Sequence, residues 1–276
     1  PTGLKGVVAI SAGSGHSIAL KADGTVVGWG DRDNYGTINI PAGLSGVVAI
    51  DAGSEHNIAL KSDGTVVTFG WTRFGQQYIS NPTGTLVQVA SGVNHGLGLK
   101  ADGTVVGWGA NYQGQLNIPA GLNGVVAVQA GDNFSVALKS DGTVVAWGYN
   151  NFGQCNVPAG LTGVVKIAAT DTHVLALKSN GTVVAWGEDY YGMATVPANL
   201  SGVIAIATGP NHSLALKSDG TVVAWGYYNY VPAGLTNVKA ISAGKNFNVV
   251  LKNDGSVEAW GSNNHGQTTL PSGLTG

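Results

Sequence analysis

The sequence predicts an all-β fold, a seven-bladed β-propeller with four short antiparallel strands per blade. Three observations carry this. Asp-Gly or Asn-Gly turns followed by Thr or Ser place glycines at Gly24, Gly64, Gly103, Gly142, Gly181, Gly220 and Gly255, a repeat of about 39 residues along the chain. The runs between these turns are short, valine-rich and bounded by glycine, with no apolar spacing at i, i+3, i+4 and i+7. In the third run of each unit, a large ring alternates with a small residue. The seven units fill residues 1–276 as a single domain.

Each element of the unit follows in order. In unit 1, residues 7–10 read as the first strand, 17–20 as the second and 25–29 as the third. Asp23 and Gly24 predict a two-residue type I′ hairpin, which needs positive φ twice. On the third strand Thr25, Val27 and Trp29 face one way, and Val26 and Gly28 the other. The Gly28 position becomes Thr68, Gly107, Ala146, Ala185, Ala224 and Ala259 in later units. The Trp29 position becomes Phe69, Trp108, Trp147, Trp186, Trp225 and Trp260. Stacking the units sets each ring over a neighbour's small residue and buries both sheet faces, so the strands are apolar runs. The Gly-Gln segment is expected to add the fourth, outer strand. Unit 6 lacks it at residues 227–231, where a notch is expected. Ring closure is favoured over a solenoid, because the terminal units carry no polar cap.

Composition narrows the function. Charged residues are 10% and hydrophobic residues 43%, which fits a packed core and excludes disorder. A net charge of −2 gives no basic face for nucleic acid. No apolar run approaches the length of a membrane span. The single cysteine, Cys155, excludes an intramolecular disulfide and a cysteine metal site.

The units read His-Ser-Leu-Ala-Leu-Lys-Ser-Asp-Gly-Thr-Val-Val-Ala-Trp-Gly at residues 212–226 and Trp-Gly-x-Asn-x-x-Gly-Gln at 147–154. In this text they resemble the regulator of chromosome condensation repeat. The resemblance implies a seven-bladed propeller. Gly-Gln-Thr-Thr-Leu-Pro at 266–271 and Leu-Ser-Gly-Val at 200–203 look like the bacterial secreted branch, which includes a type II β-lactamase-inhibitory protein. This implies a secreted or cell-surface bacterial protein. It also implies an alternative function, a β-lactamase or penicillin-binding-protein inhibitor-like binder. That branch uses aromatic residues just before the histidine position, and the pairs here, from Ser14 and Gly15 to Lys245 and Asn246, contain none. The eukaryotic branch carries Gly-Gln-Leu-Gly, approached only at Gly114, Gln115 and Leu116, so its nucleotide-exchange activity is not implied.

In a four-stranded meander the first loop (Ala-Gly-x-x-His) and the third loop (after Trp-Gly) emerge on one face. The Asp-Gly hairpins and Pro-Ala-Gly-Leu linkers emerge on the other. The hairpin face repeats one lysine and one turn acid or amide per unit, a solvated rim. The third loops vary, and six of seven carry aromatics. They supply the candidate partner-binding residues: Arg32 and Tyr35; Trp71, Arg73 and Phe74; Tyr112; Tyr149 and Phe152; Tyr190 and Tyr191; Tyr227 and Tyr228. Trp, Tyr and Arg are enriched at binding hot spots. The leading reading is a monomeric, non-enzymatic scaffold that binds a protein. A glycan-binding propeller and a repeat array without a ligand are alternatives.

No cofactor, metal or catalytic residue is expected. His16, His56, His95, His173 and His212 hold one repeat position that Phe134 and Phe247 fill in the other two units. A ring placement spreads them apart, and the phenylalanines mark a packing slot. Asp132 and Asp171 are two exposed acids in adjacent first loops, a weak general acid/base signal.

Overall fold

A computed structural model of the chain describes residues 6–30, 35–71 and 84–271. The described residues form seven three-stranded antiparallel sheets and no helix. Among the described residues, no helix is long and apolar enough to cross a membrane. The inner strands are Val7–Ala12, Val47–Ala52, Leu86–Ser91, Val125–Ala130, Val164–Thr170, Val203–Gly209 and Val238–Gly244. The middle strands are Ser17–Lys21, His56–Lys61, His95–Lys100, Phe134–Lys139, His173–Lys178, His212–Lys217 and Phe247–Lys252. The outer strands are Val26–Trp29, Val66–Gly70, Val105–Gly109, Val144–Gly148, Val183–Gly187, Val222–Gly226 and Val257–Gly261. All seven inner strands line one axial channel of about 160 Å³, the mark of a closed propeller.

Each blade therefore has three strands where the sequence predicted four. In the expected fourth strand the amides close local turns instead. Asn117 N–H donates to the Gly114 carbonyl at 2.9 Å and Ile118 N–H to the Leu116 carbonyl at 2.9 Å. Asn156 and Val157 repeat these bonds at 2.9 and 3.0 Å. The next residues, Pro119 and Pro158, have no N–H to give a ladder. The notch expected in blade 6 is also absent as a missing strand, because Val222–Gly226 is an outer strand like the others.

The hairpin turn is corrected as well. Gly24 N–H reaches the Lys21 carbonyl at 3.0 Å, and Lys21 N–H reaches the Thr25 carbonyl at 2.9 Å. Only the glycine has positive φ, +76°. This is a three-residue loop with a glycine bulge, not type I′. The Asp23 carboxylate fixes it by accepting from Thr25 N–H at 3.0 Å and Thr25 Oγ1 at 2.6 Å.

Packing between blades follows the predicted ring-over-small scheme. Ala146 shares a cluster with Trp186 of the next blade, and Ala185 with Trp225. Five indoles also find a carbonyl on the preceding blade, whereas the buried Trp108 Nε1–H has none among the described residues and blade 2 carries Phe69 instead. Trp147 Nε1–H donates to the Gln115 carbonyl at 2.9 Å, and Trp186 Nε1–H to the Gln154 carbonyl at 3.0 Å. Tyr230 supplies that carbonyl to Trp260 at 2.8 Å although its loop lacks Gly-Gln. At the seam, Trp29 Nε1–H donates to the Gln267 carbonyl at 3.0 Å, and Trp29 clusters with Phe247, Val249 and Leu251.

Candidate partner-binding face

The first and third loops of a blade are joined at their roots. The N–H groups of Trp71, Ala110, Tyr149, Glu188, Tyr227 and Ser262 donate to the carbonyls of Glu55, Asn94, Asn133, Thr172, Asn211 and Asn246 at 2.7–3.0 Å. Both sets of loops thus leave on one face.

The third loops of blades 3, 4, 5 and 7 are irregular but are tied by side-chain hydrogen bonds. Asn150 Oδ1 accepts from Cys155 N–H at 2.8 Å, and its Nδ2 donates to Asn156 Oδ1 at 2.9 Å. Asn111 makes the same pair of bonds. Asp189 takes the role in blade 5, accepting from Ala194 N–H at 2.7 Å and Thr195 N–H at 3.1 Å. The buried Gln154 folds back, its Oε1 accepting from Phe152 N–H at 3.0 Å. A side chain carried between these anchors is held in place before any partner arrives.

The aromatics fall into separate groups. Tyr190 and Tyr191 pack edge-to-face at 4.7 Å, Tyr191 meets Tyr227 at 5.0 Å, and Tyr227 meets Tyr228 at 4.8 Å. These four rings make a continuous ladder across blades 5 and 6. Tyr190 is 79% exposed and Tyr227 60%. Tyr230, 67% exposed, adds to the same loop and was not among the predicted site residues. Tyr149 and Phe152 form a looser pair at 6.0 Å on blade 4. Tyr35 and Trp71 meet edge-to-face at 4.4 Å between blades 1 and 2. Tyr112 stands 77% exposed on blade 3. Arg32, Arg73 and Phe74 lie outside the described residues. The predicted site is thus a set of patches, with its largest contiguous part on blades 5 and 6.

Carboxylates occupy the first and third loops of blades 4 and 5, and Asp171 lines the channel mouth. Asp132 and Asp171 belong to neighbouring first loops, and Asp132 N–H donates to the Asp171 carbonyl at 3.2 Å. Burial, together with the Asp132 charge, pushes the Asp171 carboxyl up to about 6. Burial likewise raises Asp132. Lys245, lining the same mouth, opposes the rise at Asp171. Both acids are thus more enclosed than the exposed pair expected from sequence. Glu188 accepts from Thr172 Oγ1 at 2.5 Å, immediately before Asp189 and the tyrosines.

The hairpin face carries Lys–Asp pairs at 2.8–3.3 Å, as at Lys21–Asp23 and Lys61–Asp63. Sequence reasoning missed its apolar component. The inner-strand register slips at Val8 and its counterparts. The bulge turns Val8, Val48, Val87, Val126, Val165 and Ile204 outward.

The repeat-position histidines are buried and structural. Four of the five reach the next blade: His16 Nε2 meets Asn57 Oδ1 at 2.8 Å, His95 Nε2 meets Ser135 Oγ at 3.1 Å, His173 Nε2 meets Ser213 Oγ at 2.9 Å, and His212 Nε2 meets Asn248 Oδ1 at 2.7 Å, while His56 makes no such bond. Burial lowers His173 to about 3 and His56 to about 4, so both are neutral at physiological pH. Among the described residues, no three His, Cys, Asp or Glu side chains are placed to hold a metal ion. The Cys155 thiol donates to the Tyr149 carbonyl at 3.2 Å, and burial raises it to about 11, far from a reactive thiolate.

The seven blades match the family model described as Regulator of chromosome condensation (RCC1) repeat, at residues 7–37, 47–76, 86–115, 125–154, 164–192, 203–230 and 238–267. The chain belongs to the RCC1 repeat family. No curated protein matches it. Among solved structures, Prp20p of Saccharomyces cerevisiae, described with its binding to Gsp1p and histones, has a TM-score of 0.76 at 21% identity, over 88% of this chain and 82% of that one. A structure of Kap60 bound to yeast RCC1 (Prp20) gives 0.61 at 22%, over 98% and 73%. The CRINKLY WD40 ectodomain of the Arabidopsis thaliana receptor kinase ACR4 gives 0.74 at 22%, over 94% and 98%. At these identities the likeness concerns the fold.

Proposed function

We propose that this RCC1-repeat propeller is a non-enzymatic scaffold that binds a protein partner through the face of its first and third loops. The ladder of Tyr190, Tyr191, Tyr227 and Tyr228 is the observation that carries this reading. Contiguous rings, with Tyr190, Tyr191 and Tyr227 exposed and Tyr228 half-buried, offer a large contact area with little ordering cost. The solved relative Prp20p, described as binding Gsp1p and histones, supports protein binding as a use of this fold. Fold alone does not choose the partner. The Gly-Gln-Thr-Thr-Leu-Pro and Leu-Ser-Gly-Val segments favour a secreted or cell-surface bacterial setting for it.

Site-directed photocrosslinking tests the face. A crosslinker at Tyr227 or Trp71 should trap a partner from the source organism's secreted fraction, whereas one at Asp219 or Lys139 on the hairpin face should not. Trapping from the hairpin face alone would reverse the assignment.

A further inference from the structure

We propose that the tyrosine ladder of blades 5 and 6 and the carboxylates beside it form a seat for arginine or lysine side chains of a protein segment. This rests on the loop-face reading and specifies the partner's chemistry.

The ladder runs along the third loops of blades 5 and 6, and the carboxylates run along the first and third loops of blades 4 and 5. Asp171 lines the channel mouth, Asp132 N–H bonds to its carbonyl, Glu188 accepts from Thr172 of the same first loop, and Asp189 and the rings follow Glu188 in the chain. Among the described residues of this face, Glu55, Asp132, Asp171, Glu188 and Asp189 are answered by one ammonium, that of Lys245. The hairpin face is different, because there lysines meet turn acids in pairs. Among the described residues, this face therefore carries more negative than positive charge, beside the largest exposed group of aromatic rings. The raised carboxyls of Asp132 and Asp171 report the same thing, ionisation opposed by burial with too little positive charge nearby.

The ring geometry selects the same ligand. Tyr190 against Tyr191 is inclined by 88° and Tyr227 against Tyr228 by 77°. Alternating rings do not make a flat platform for a row of sugar faces. They present electron-rich faces in several directions, and a planar guanidinium or an ammonium is drawn to such faces. A carboxylate within reach of the same cation adds a charge-assisted hydrogen bond. The aliphatic stem of the incoming side chain covers ring surface on the way. An acidic segment would instead meet repulsion at every step.

A random peptide library displayed on phage, selected against the whole chain, tests this. Enriched peptides are expected to carry arginine or lysine. Resynthesised with glutamine at those positions, they should bind about tenfold more weakly. Two double variants of the chain, Tyr191→Ala with Tyr227→Ala and Asp171→Asn with Glu188→Gln, should each weaken binding about tenfold. Asn at 171 keeps the left-handed backbone found there, φ +33°, so the second variant folds even where the first does not. Peptides that need the tyrosines but neither their own cations nor Asp171 and Glu188 would overturn this inference and leave the loop-face reading standing. A selection yielding no peptide dependent on the tyrosines would overturn both.

Discussion

At the residue scale, the buried ring of histidines shows which identities are coupled. His16, His95, His173 and His212 face Ser or Asn on the next blade, and Phe134 faces Val174, so polar meets polar and apolar meets apolar there. Phe247 and His56 break the pattern, Phe247 because its counterpart is Ser17, whose Oγ is buried without a hydrogen bond. The counterpart of His56 is Gly96, both ring nitrogens of His56 are buried without a hydrogen bond, and the Trp108 ring occupies the space where a Gly96 side chain would stand. His56→Phe should therefore stabilise the fold by about 1–2 kcal/mol, as buried unsatisfied groups cost that much. His173→Phe should destabilise by about 1 kcal/mol, since Ser213 Oγ loses a partner. Urea melts of both variants, moving in opposite directions, would bear this out. The sequence showed that the slot accepts His or Phe, but not which serine or asparagine answers it. That partner lies about 40 residues away on the next blade. Asp51 gives a second test. Its carboxylate in the channel wall accepts from Ser91 N–H at 2.6 Å and Ser11 Oγ at 3.2 Å. Burial nevertheless raises its carboxyl to about 6 from an ordinary 3.8. The fold favours the protonated form, so stability falls as pH rises from about 4 through 6. Asp51→Asn should remove that dependence and gain about 1–2 kcal/mol at pH 7. The melting-temperature difference between variant and parent, followed from pH 4 to 7, isolates this group from the turn aspartates. Those have lowered carboxyls and lose their contribution only as pH falls through more acidic values.

At the element scale, three strands and the hairpin were legible because period-two alternation and Asp-Gly spacing are local signals. The fourth element was not, because its fate depends on where its amides go. Residues 114–118 close turns on themselves and then reach Pro119, so a segment that looks like a strand becomes a strap. The aromatic loops were legible as positions, but their grouping was not. Whether Tyr191 touches Tyr190 alone or also Tyr227 depends on the distance between adjacent blades. The strap has its own function, holding the loop that displays those rings. Asp189 is its anchor in blade 5, and Asn111, Asn150 and Asn263 hold the same place elsewhere. Asp189→Ala should release Ala194 and Thr195, costing about 1 kcal/mol and speeding amide exchange across residues 190–195. Asp189→Asn should restore both, because asparagine already does this work in three other blades.

At the scale of the whole molecule, most interfaces between blades use the same parts: a ring over a small residue, an indole bonded to a carbonyl, and a side-chain bond or apolar contact between middle strands. The interfaces at Phe69 and Trp108 lack the indole bond. The interface between blades 7 and 1 differs in one respect. Blades 3 and 4 are joined by the continuous linker after Gln115, while no described sheet contains strands from both the first and seventh units. The seam is held by Trp29 on the Gln267 carbonyl, Ala12 N–H on Ser242 Oγ at 3.0 Å, and the apolar cluster of Val7, Ala19 and Trp29 with Phe247 and Leu251. Removing one buried tryptophan costs about 3–5 kcal/mol wherever it sits. Its consequences should still depend on the interface. In Trp147→Ala the covalent linker keeps blades 3 and 4 at high effective concentration, so they reclose after each opening. In Trp29→Ala only non-covalent contacts oppose separation of blades 7 and 1. Two variants of similar melting temperature should therefore differ in native-state hydrogen exchange. Trp29→Ala should deprotect the inner strands Val7–Ala12 and Val238–Gly244 well before the global transition. Trp147→Ala should leave Leu86–Ser91 and Val125–Ala130 exchanging close to the global rate. Equal early deprotection at both interfaces would show that the seam is no weaker than its six counterparts.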